Sequence, residues 1–299
     1  MPTEHSSQPG AQAQSNVTQV LPIQAQDLAD VGNFLHQQLA QRISPQAWVQ
    51  SLSQRWAASQ PNHGMHLRHD GQVVGVLCAI YSDQTIDGRT ERFCNPHSWM
   101  VLEPYRSHSL GLVLQLMRQR GYHFTMFTPN PKVAQVFVGL RFRLLEDSLL
   151  YFPNLPSPAA LGSSARIEHR REHIAALLDG TALADFQAHQ HLPWLEFVAF
   201  GRTGDSCLAI YKRSRWKKMA CAALSYVSDA QALQRHGALL RHHLLRRGMP
   251  VSRIEGRHLS QAPTWALQTR RGQPKLVLSP SLSDRQVRDV YSEMMALDL

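Results

Sequence analysis

The stretch Trp99 to Gly111, WMVLEPYRSHSLG, carries the residues with the clearest chemical use. Its apolar start is expected to end a strand, its polar middle to form a short loop, and Leu110 onward to belong to a helix. At such a junction several backbone N–H groups point the same way, and the helix dipole adds partial positive charge. That combination suits a phosphate or pyrophosphate. Small residues at the turn let the backbone come close to the ligand. A second informative stretch, NPKVAQVFVGLRF, follows at Asn130 to Phe142.

Flanking elements must hold these two stretches in place. Ala25 to Leu39 has helical spacing, and Ser44-Pro45 reads as a cap with proline at the first turn of a second helix. Met65–Arg68 and Gln72–Tyr81 flank Asp70-Gly71, a hairpin signal. Phe93–Leu102 is a strand. Leu110–Arg120 is a helix ended by Gly121, Tyr122–Phe127 a buried strand, Pro131–Gly139 a helix, and Leu144–Phe152 further strand. After the Pro- and Ser-rich Pro153–Ser164, a similar order returns. Arg166–His189 reads as mostly helical. A hairpin surrounds Gly204-Asp205, Ala220–Val227 is a strand, Gln231–Arg247 a helix, and Val251–Glu255 a strand. Tyr291-Ser292-Glu293 and the apolar run after it are expected to close the second half as a last strand. The expected organisation is a tail at 1–18, one domain over 19–153, a linker at 154–165 and a second domain over 166–299.

The two stretches resemble the acyl-coenzyme A motifs of the GNAT acyltransferase superfamily. The first pattern is V-x-P-x-Y-R-x-x-G-x-G/A. Val101, Tyr105, Arg106 and Gly111 match it, Glu103 stands at the proline position with Pro104 following, and Ser109 replaces the first glycine of the R-x-x-G-x-G/A core. The second is N-x-x-x-A-x-x-F-Y-x-x-x-G-F. Asn130, Ala134, Phe137 and Phe142 match, Val138 stands at the tyrosine and Arg141 at the glycine. The resemblance covers roughly Val20 to Phe152. It implies two tandem GNAT-like folds, each a mixed α/β sheet, because the second half repeats the order with a fainter Gln234-x-x-Gly237-x-Leu239 turn.

The resemblance also implies roles. Arg106, Ser107, His108, Ser109, Leu110 and Gly111 offer backbone N–H groups to the coenzyme pyrophosphate. Met100 and Val101 pair with the pantetheine arm, and Asn130 lies near the arm or the thioester. An acyl group, expected to be acetyl, passes from acyl-CoA to an amine or hydroxyl of a small-molecule or carbohydrate-like acceptor. Glu91, His97 and Glu103 are the candidate bases, and His97 has the most suitable ordinary pKa, about 6.5. No metal is needed. With valine at position 138 the usual tyrosine acid is missing, but a thiolate with a pKa near 8.5 can leave without one. Ser109, Val138 and Arg141 keep open a binding or regulatory protein on the same scaffold. The basic second half keeps open a Fem-like transferase that uses charged tRNA.

Composition narrows the field. The chain has 299 residues, 43% of them hydrophobic and 18% charged, enough for a packed core. The first 18 residues have no Lys or Arg and no apolar core segment, so they do not read as a signal peptide. No run approaches a membrane span. Four scattered cysteines without a CxxC pair fit a reducing cytosol and argue against a cysteine zinc site. The net charge of +9 is uneven: 11 basic against 10 acidic residues up to Leu155, and 20 against 12 beyond it. A basic half suits a phosphate-bearing partner. The run Lys212, Arg213, Arg215, Lys217, Lys218 around Trp216 could hold nucleic acid, but a charge-protected hairpin explains it more simply.

Overall fold

The structure, a computed structural model, describes residues 17–146, 148–156, 164–270 and 272–298. The expected tail at 1–18 and linker at 154–165 fall mostly outside these residues. Among the described residues no helix is long and apolar enough to cross a membrane.

In chain order the first half has β1 (Gln19–Pro22), α1 (Leu28–Gln38), α2 (Pro45–Leu52), β2 (Gly64–His69), β3 (Gln72–Ile86) and β4 (Arg89–Val101). A 3-10 turn (Glu103–His108) then leads into α3 (Ser109–Met117), β5 (His123–Met126), α4 (Pro131–Gly139), β6 (Arg143–Leu144) and β7 (Ser148–Pro153). The second half has β8 (Arg166–Glu168), α5 (Arg171–Ile174), α6 (Gly180–His189), β9 (Glu196–Arg202), β10 (Asp205–Trp216) and β11 (Met219–Val227). It continues with α7 (Ala230–Arg246), β12 (Val251–Glu255), β13 (Leu267–Arg270), β14 (Leu276–Leu278) and α8 (Glu293–Ala296). Local signals explain much of this. Ser44 Oγ accepts from the Ala47 N–H and Pro45 opens α2. Asp70 and Gly71 both adopt positive φ at the β2–β3 turn.

Two seven-stranded mixed sheets result, β1-β2-β3-β4-β5-β14-β6 and β13-β7-β12-β11-β10-β9-β8. They do not divide at the expected boundary of 153. β7 belongs to the first half in sequence, yet it lies in the second sheet between β12 and β13. β14 belongs to the second half, yet it lies in the first sheet between β5 and β6. Each half therefore fills the gap beside its parallel strand with a strand from the other.

A shared core reinforces the exchange. Trp56 and Ile80 pack in one cluster with Ile174, Phe186, Val290 and Met295. The C-terminal run is not a strand: it forms α8 and folds onto the first half, where Leu297 packs with Trp48, Leu52, Val76 and Cys78. Arg166–His189 is also less helical than expected, with β8 and two separate helices.

The return of β14 is anchored by buried ions. Arg257 donates to Glu255 at 2.9 Å and Asp289 at 2.6 Å, while Lys275 meets Glu255 at 2.7 Å and also bonds Asp289. Among the described residues, Arg257 and Lys275 both meet the Glu255 and Asp289 carboxylates. Glu255, His258 and Asp289 converge within 4.8 Å, but their carboxylates are already engaged by these cations. Removing one partner strands a buried charge. Asp289→Ala is expected to cost about 3–5 kcal/mol in urea unfolding. A loss below about 1 kcal/mol would show that the network does not brace the fold.

Several residues of the basic run 212–218 take part in the fold. Trp216 stacks on Tyr151 at 4.9 Å, Lys217 and Lys218 form the β10–β11 turn with positive φ, and Lys212 Nζ donates to the Leu297 carbonyl at 2.7 Å.

Candidate functional site

The site begins with a defect in β4. Along the β3–β4 ladder, Val76 faces Met100 while Cys78 faces His97, so β4 carries one extra residue. Ser98 takes φ +52 at this bulge. A bulge bends its strand and re-aims the side chains around it. On its other edge β4 parts from β5 before the bulge: the two run parallel only at Phe93–His123 and Cys94–Phe124, while β3 stays paired to Val101. The strand end Trp99–Val101 thus faces an opening on its β5 side.

On one side of the splayed end is a 510 Å³ cleft. Trp99, Met100 and Val101 form its floor, Arg106, Ser107, Ser109 and Leu110 one wall, and Lys132, Val133 and Val136 the other. Six of the nine expected coenzyme residues therefore meet in one place. His108 and Gly111 do not line it. His108 is exposed, and a Cβ on Gly111 would touch Val20 at 3.5 Å. Asn130 also stands apart from this wall. Its Oδ1 caps α4 by accepting from the Val133 N–H at 2.9 Å, and the residue borders the neighbouring cavity.

The expected loop is wound tighter than the motif implies. Glu103–His108 is a 3-10 turn continuous with α3. Tyr105 N–H donates to the Leu102 carbonyl at 2.9 Å, and Ser109 N–H is spent on the Arg106 carbonyl. With serine at the first glycine position, this segment keeps right-handed helical dihedrals at Ser109, φ −57 and ψ −45. Arg141, at the second motif's glycine position, does take a left-handed φ of +69. An arginine there carries a steric cost of roughly 1 kcal/mol that glycine avoids. Val138, at the tyrosine position, is exposed and not part of the cleft.

Next to this cleft, sharing Trp99 and Val133 with it, lies a 400 Å³ cavity. His97, Trp99 and Asn130 border it, as do Trp48 of α2 and Glu293 and Leu297 of the C-terminal segment. His97 is only 4% exposed, and its Nδ1 lies 2.9 Å from Ser98 Oγ. Burial pushes its pKa down to about 3, so the ring is neutral and a weak proton acceptor. The other candidate bases lie elsewhere. Glu91 sits at the opposite end of β4, paired with His123 at 3.0 Å. Glu103 is exposed and paired with Arg106 at 2.7 Å.

The carboxyl that does reach this cavity is Glu293, which sequence reading placed in a closing strand. It is 1% exposed. Its Oε1 accepts from Thr128 Oγ1 at 2.8 Å, and its backbone N–H donates to Asn95 Oδ1 at 3.0 Å. Burial raises its carboxyl pKa. Asn95 and His97 are two apart on β4, and Asn95 pins the segment that carries Glu293. No local signal could have revealed this, because the contact spans 198 residues.

The second half repeats the plan with a different ending. β11 and β12 are parallel over Cys221–Val251 to Ala223–Arg253, and a register shift at Ile210/Tyr211 disturbs the neighbouring ladder. A 390 Å³ cleft lies along α7, lined by Gln234, Gly237, Arg241 and Trp265. The α7 N-terminus, however, already has its anion. The Asp229 carboxylate accepts from the Gln231 and Ala232 N–H groups at 2.7 and 2.9 Å.

The sequence matches no protein-family model and no curated protein. Solved structures do resemble it. A GCN5-related N-acetyltransferase from Anabaena variabilis aligns at TM-score 0.59 and 12% identity, over 87% of this chain and 72% of that one. One from Kribbella flavida aligns at TM-score 0.54 and 13% identity, over 87% and 70%. A GCN5-related glucosamine N-acetyltransferase region of a fungal multi-domain β-N-acetylglucosaminidase aligns at TM-score 0.51 and 13% identity, over 90% of this chain and 39% of that one. With two bulged, splayed sheets in tandem and this likeness across most of its length, the chain is a protein of the GNAT fold.

Proposed function

We propose that the protein is an acyl-CoA-dependent acyltransferase whose donor site is the 510 Å³ cleft of the first half. The observation that carries this reading is the splay of β4 from β5 at Trp99–Val101, which leaves strand backbone free beside an open, mostly apolar groove. A pantetheine arm can pair there as a missing strand. Arg106 and Lys132 offer charge for the pyrophosphate. The exposed Arg106–Glu103 pair is worth about 0–1 kcal/mol, so Arg106 can leave it at little cost. The first half is preferred because Asp229 occupies the corresponding helix end in the second. The acyl group is acetyl or another short acyl, and the acceptor an amine or hydroxyl of a small or carbohydrate-like molecule.

One observation favours a second reading, a binding protein that performs no transfer. The 3-10 turn spends the Ser109 N–H internally, leaving phosphate recognition mainly to side chains.

Calorimetric titration with acetyl-CoA separates the two. Wild type is expected to bind in the micromolar range. Val136→Trp, which fills the first cleft from an exposed helix position, is expected to weaken binding at least tenfold. Gly237→Trp in the second cleft should leave it unchanged. No binding by folded wild type would remove the acyltransferase reading, and loss only in Gly237→Trp would move the donor site to the second half.

A further inference from the structure

The cleft along α7 of the second half encloses 390 Å³, a volume suited to a small molecule. Its floor is apolar: Phe152 and Leu240 are buried, and Leu233 and Leu259 pack against the same core. Among the described residues that line it, Arg241 is the only charged side chain. Arg241 is half-buried, and desolvation lowers its pKa, yet a guanidinium stays charged at neutral pH. Its neighbours have counterions: Arg235 on α7 pairs with Asp205, and Arg247 just beyond α7 pairs with Glu196. No carboxylate among the described residues pairs with Arg241. Its guanidinium carbon instead lies 5.2 Å from the ring centre of Trp265, which is 50% exposed and meets Phe152 edge-on at 6.0 Å. A cation–π contact leaves the five N–H donors of the guanidinium still in need of acceptors.

We propose that this cleft is a second ligand site, separate from the first-half cleft, and that it takes an aromatic carboxylic acid in its ionised form. The carboxylate meets Arg241, whose forked N–H groups match its two oxygens. The aromatic body lies on the exposed Trp265 ring and over the apolar floor, which takes both surfaces out of water. The single charge follows from the lining, because one cation with no acid beside it answers one negative charge. The coenzyme fits this place poorly. Its pyrophosphate would seek the N-terminus of α7, where the Asp229 carboxylate already accepts from the Gln231 and Ala232 N–H groups. A second anion there would meet a like charge.

Three segments far apart in the chain build the cleft: α7, Phe152 of β7, and residues 259–265 before β13. β7 is the strand that the first half contributes to the second sheet, and it pairs there with β13. An acid held between these segments binds the folded chain and not the unfolded one, so it raises the melting temperature. Gly237 keeps the space open. A Cβ at that position would lie 3.5 Å from Leu233 Cδ1 and 3.6 Å from Arg241 Nη1. Any larger side chain there presses on the cation that the ligand needs. An unpaired, half-buried charge costs folding free energy, and a binding role explains why it is kept.

This site does not depend on the acyltransferase reading, and the test keeps the two apart. The full chain is titrated calorimetrically with naphthoate, with its uncharged counterpart naphthalenemethanol, and with naphthyl phosphate. Naphthoate is expected to bind one-to-one with a Kd of about 10–100 µM, and the alcohol at least tenfold more weakly. Arg241→Leu keeps an apolar side chain on the cleft and removes the charge. It is expected to weaken naphthoate at least tenfold and to leave the alcohol unchanged. Its melting temperature should match wild type, because no carboxylate of the fold relies on Arg241. Trp265→Leu is expected to weaken both ligands about fivefold. Val136→Trp in the first cleft should leave naphthoate binding unchanged, whatever it does to acetyl-CoA. Equal binding of acid and alcohol by wild type would overturn the role of Arg241. Tighter binding of naphthyl phosphate than of naphthoate would overturn the single-charge class, and displacement of naphthoate by coenzyme A would overturn the ligand class in favour of the coenzyme. No binding of naphthoate by the folded chain would overturn the site itself.

Discussion

A fragment ending at Pro156 is expected to be recovered only as aggregate, and so is one beginning at Ser164. In the first fragment β7 has lost both neighbours, leaving Leu150 and Phe152 without the β12 strand and the second-half core against which they are buried. The same fragment has a gap between β5 and β6, and β6 pairs with β14 alone. The second fragment lacks the strand that joins β12 to β13. Each piece presents unpaired strand edges beside apolar surface, a template for association. Trp56 and Ile80 also leave their cluster with Val290 and Met295. Co-expression of both fragments should restore a soluble complex, because the exchanged strands then find their slots without a covalent link. A soluble, cooperatively melting first fragment would show that the exchange is dispensable. That expectation revises the boundaries at 153 and 166: we propose that the chain folds as one cooperative body rather than two separable domains.

Acid should destabilise the protein well above the carboxylate range. Burial is the leading cause of a lowered pKa at His66, His97, His189, His243 and His258. The folded chain holds these rings neutral, while the unfolded chain protonates them near pH 6.5. Below that pH the unfolded state binds more protons, so stability falls as pH falls. For His97, whose folded pKa is about 3, the decline runs from about pH 6.5 down to about 3. At pH 5 this one residue removes about 2 kcal/mol, a large share of the 5–15 kcal/mol typical of folded proteins. His258, also held at about 3, and His243, at about 4, act in the same direction. Asp289 adds a later loss. Its carboxyl is held below its ordinary value by Arg257 and Lys275, so its contribution is intact above about pH 4 and fades under stronger acid. The melting temperature is expected to drop by about 5–15 °C between pH 7.5 and 5.0. His97→Gln should flatten that slope by removing one titrating group. A melting temperature constant across this range would mean that the buried imidazoles are not held neutral.

Much of the first-half cleft was legible in the residues themselves. The polar turn between an apolar strand and a helix, the proline and glycine stops, and the Asp70-Gly71 hairpin are local features, set by side-chain periodicity and by which residues accept particular φ values. The resemblance to the GNAT pattern grouped Met100, Val101, Arg106, Ser107, Ser109 and Leu110, and these six line one cleft. The likeness of two motifs to the GNAT pattern, despite changes at Ser109, Val138 and Arg141, extended that reading to the sheet. Position 98, where the bulge forms, carried no such signal, because an extra residue in a ladder is defined only against the partner strand.

Three features depended on the assembled chain. His97 has the right residue type for a base, but burial lowers its pKa to about 3 and makes it a hydrogen-bonding group. Glu91 and Glu103 lie near the motif in sequence, yet one is at the far end of a long strand and the other points to solvent. Glu293 looked like part of a closing strand, and only the return of α8 over β4 brings it to the cavity. The exchange of β7 and β14 was equally hidden, since alternation along a strand reports which face is buried and not which neighbour it pairs with. The amino-acid sequence by itself determined most of the elements, their turns and the residues of the first-half cleft. The tertiary structure decided which strand fills which gap, which carboxyl faces the cavity and which histidine stays neutral, because pairing, desolvation and charge compensation arise only between residues far apart in the chain.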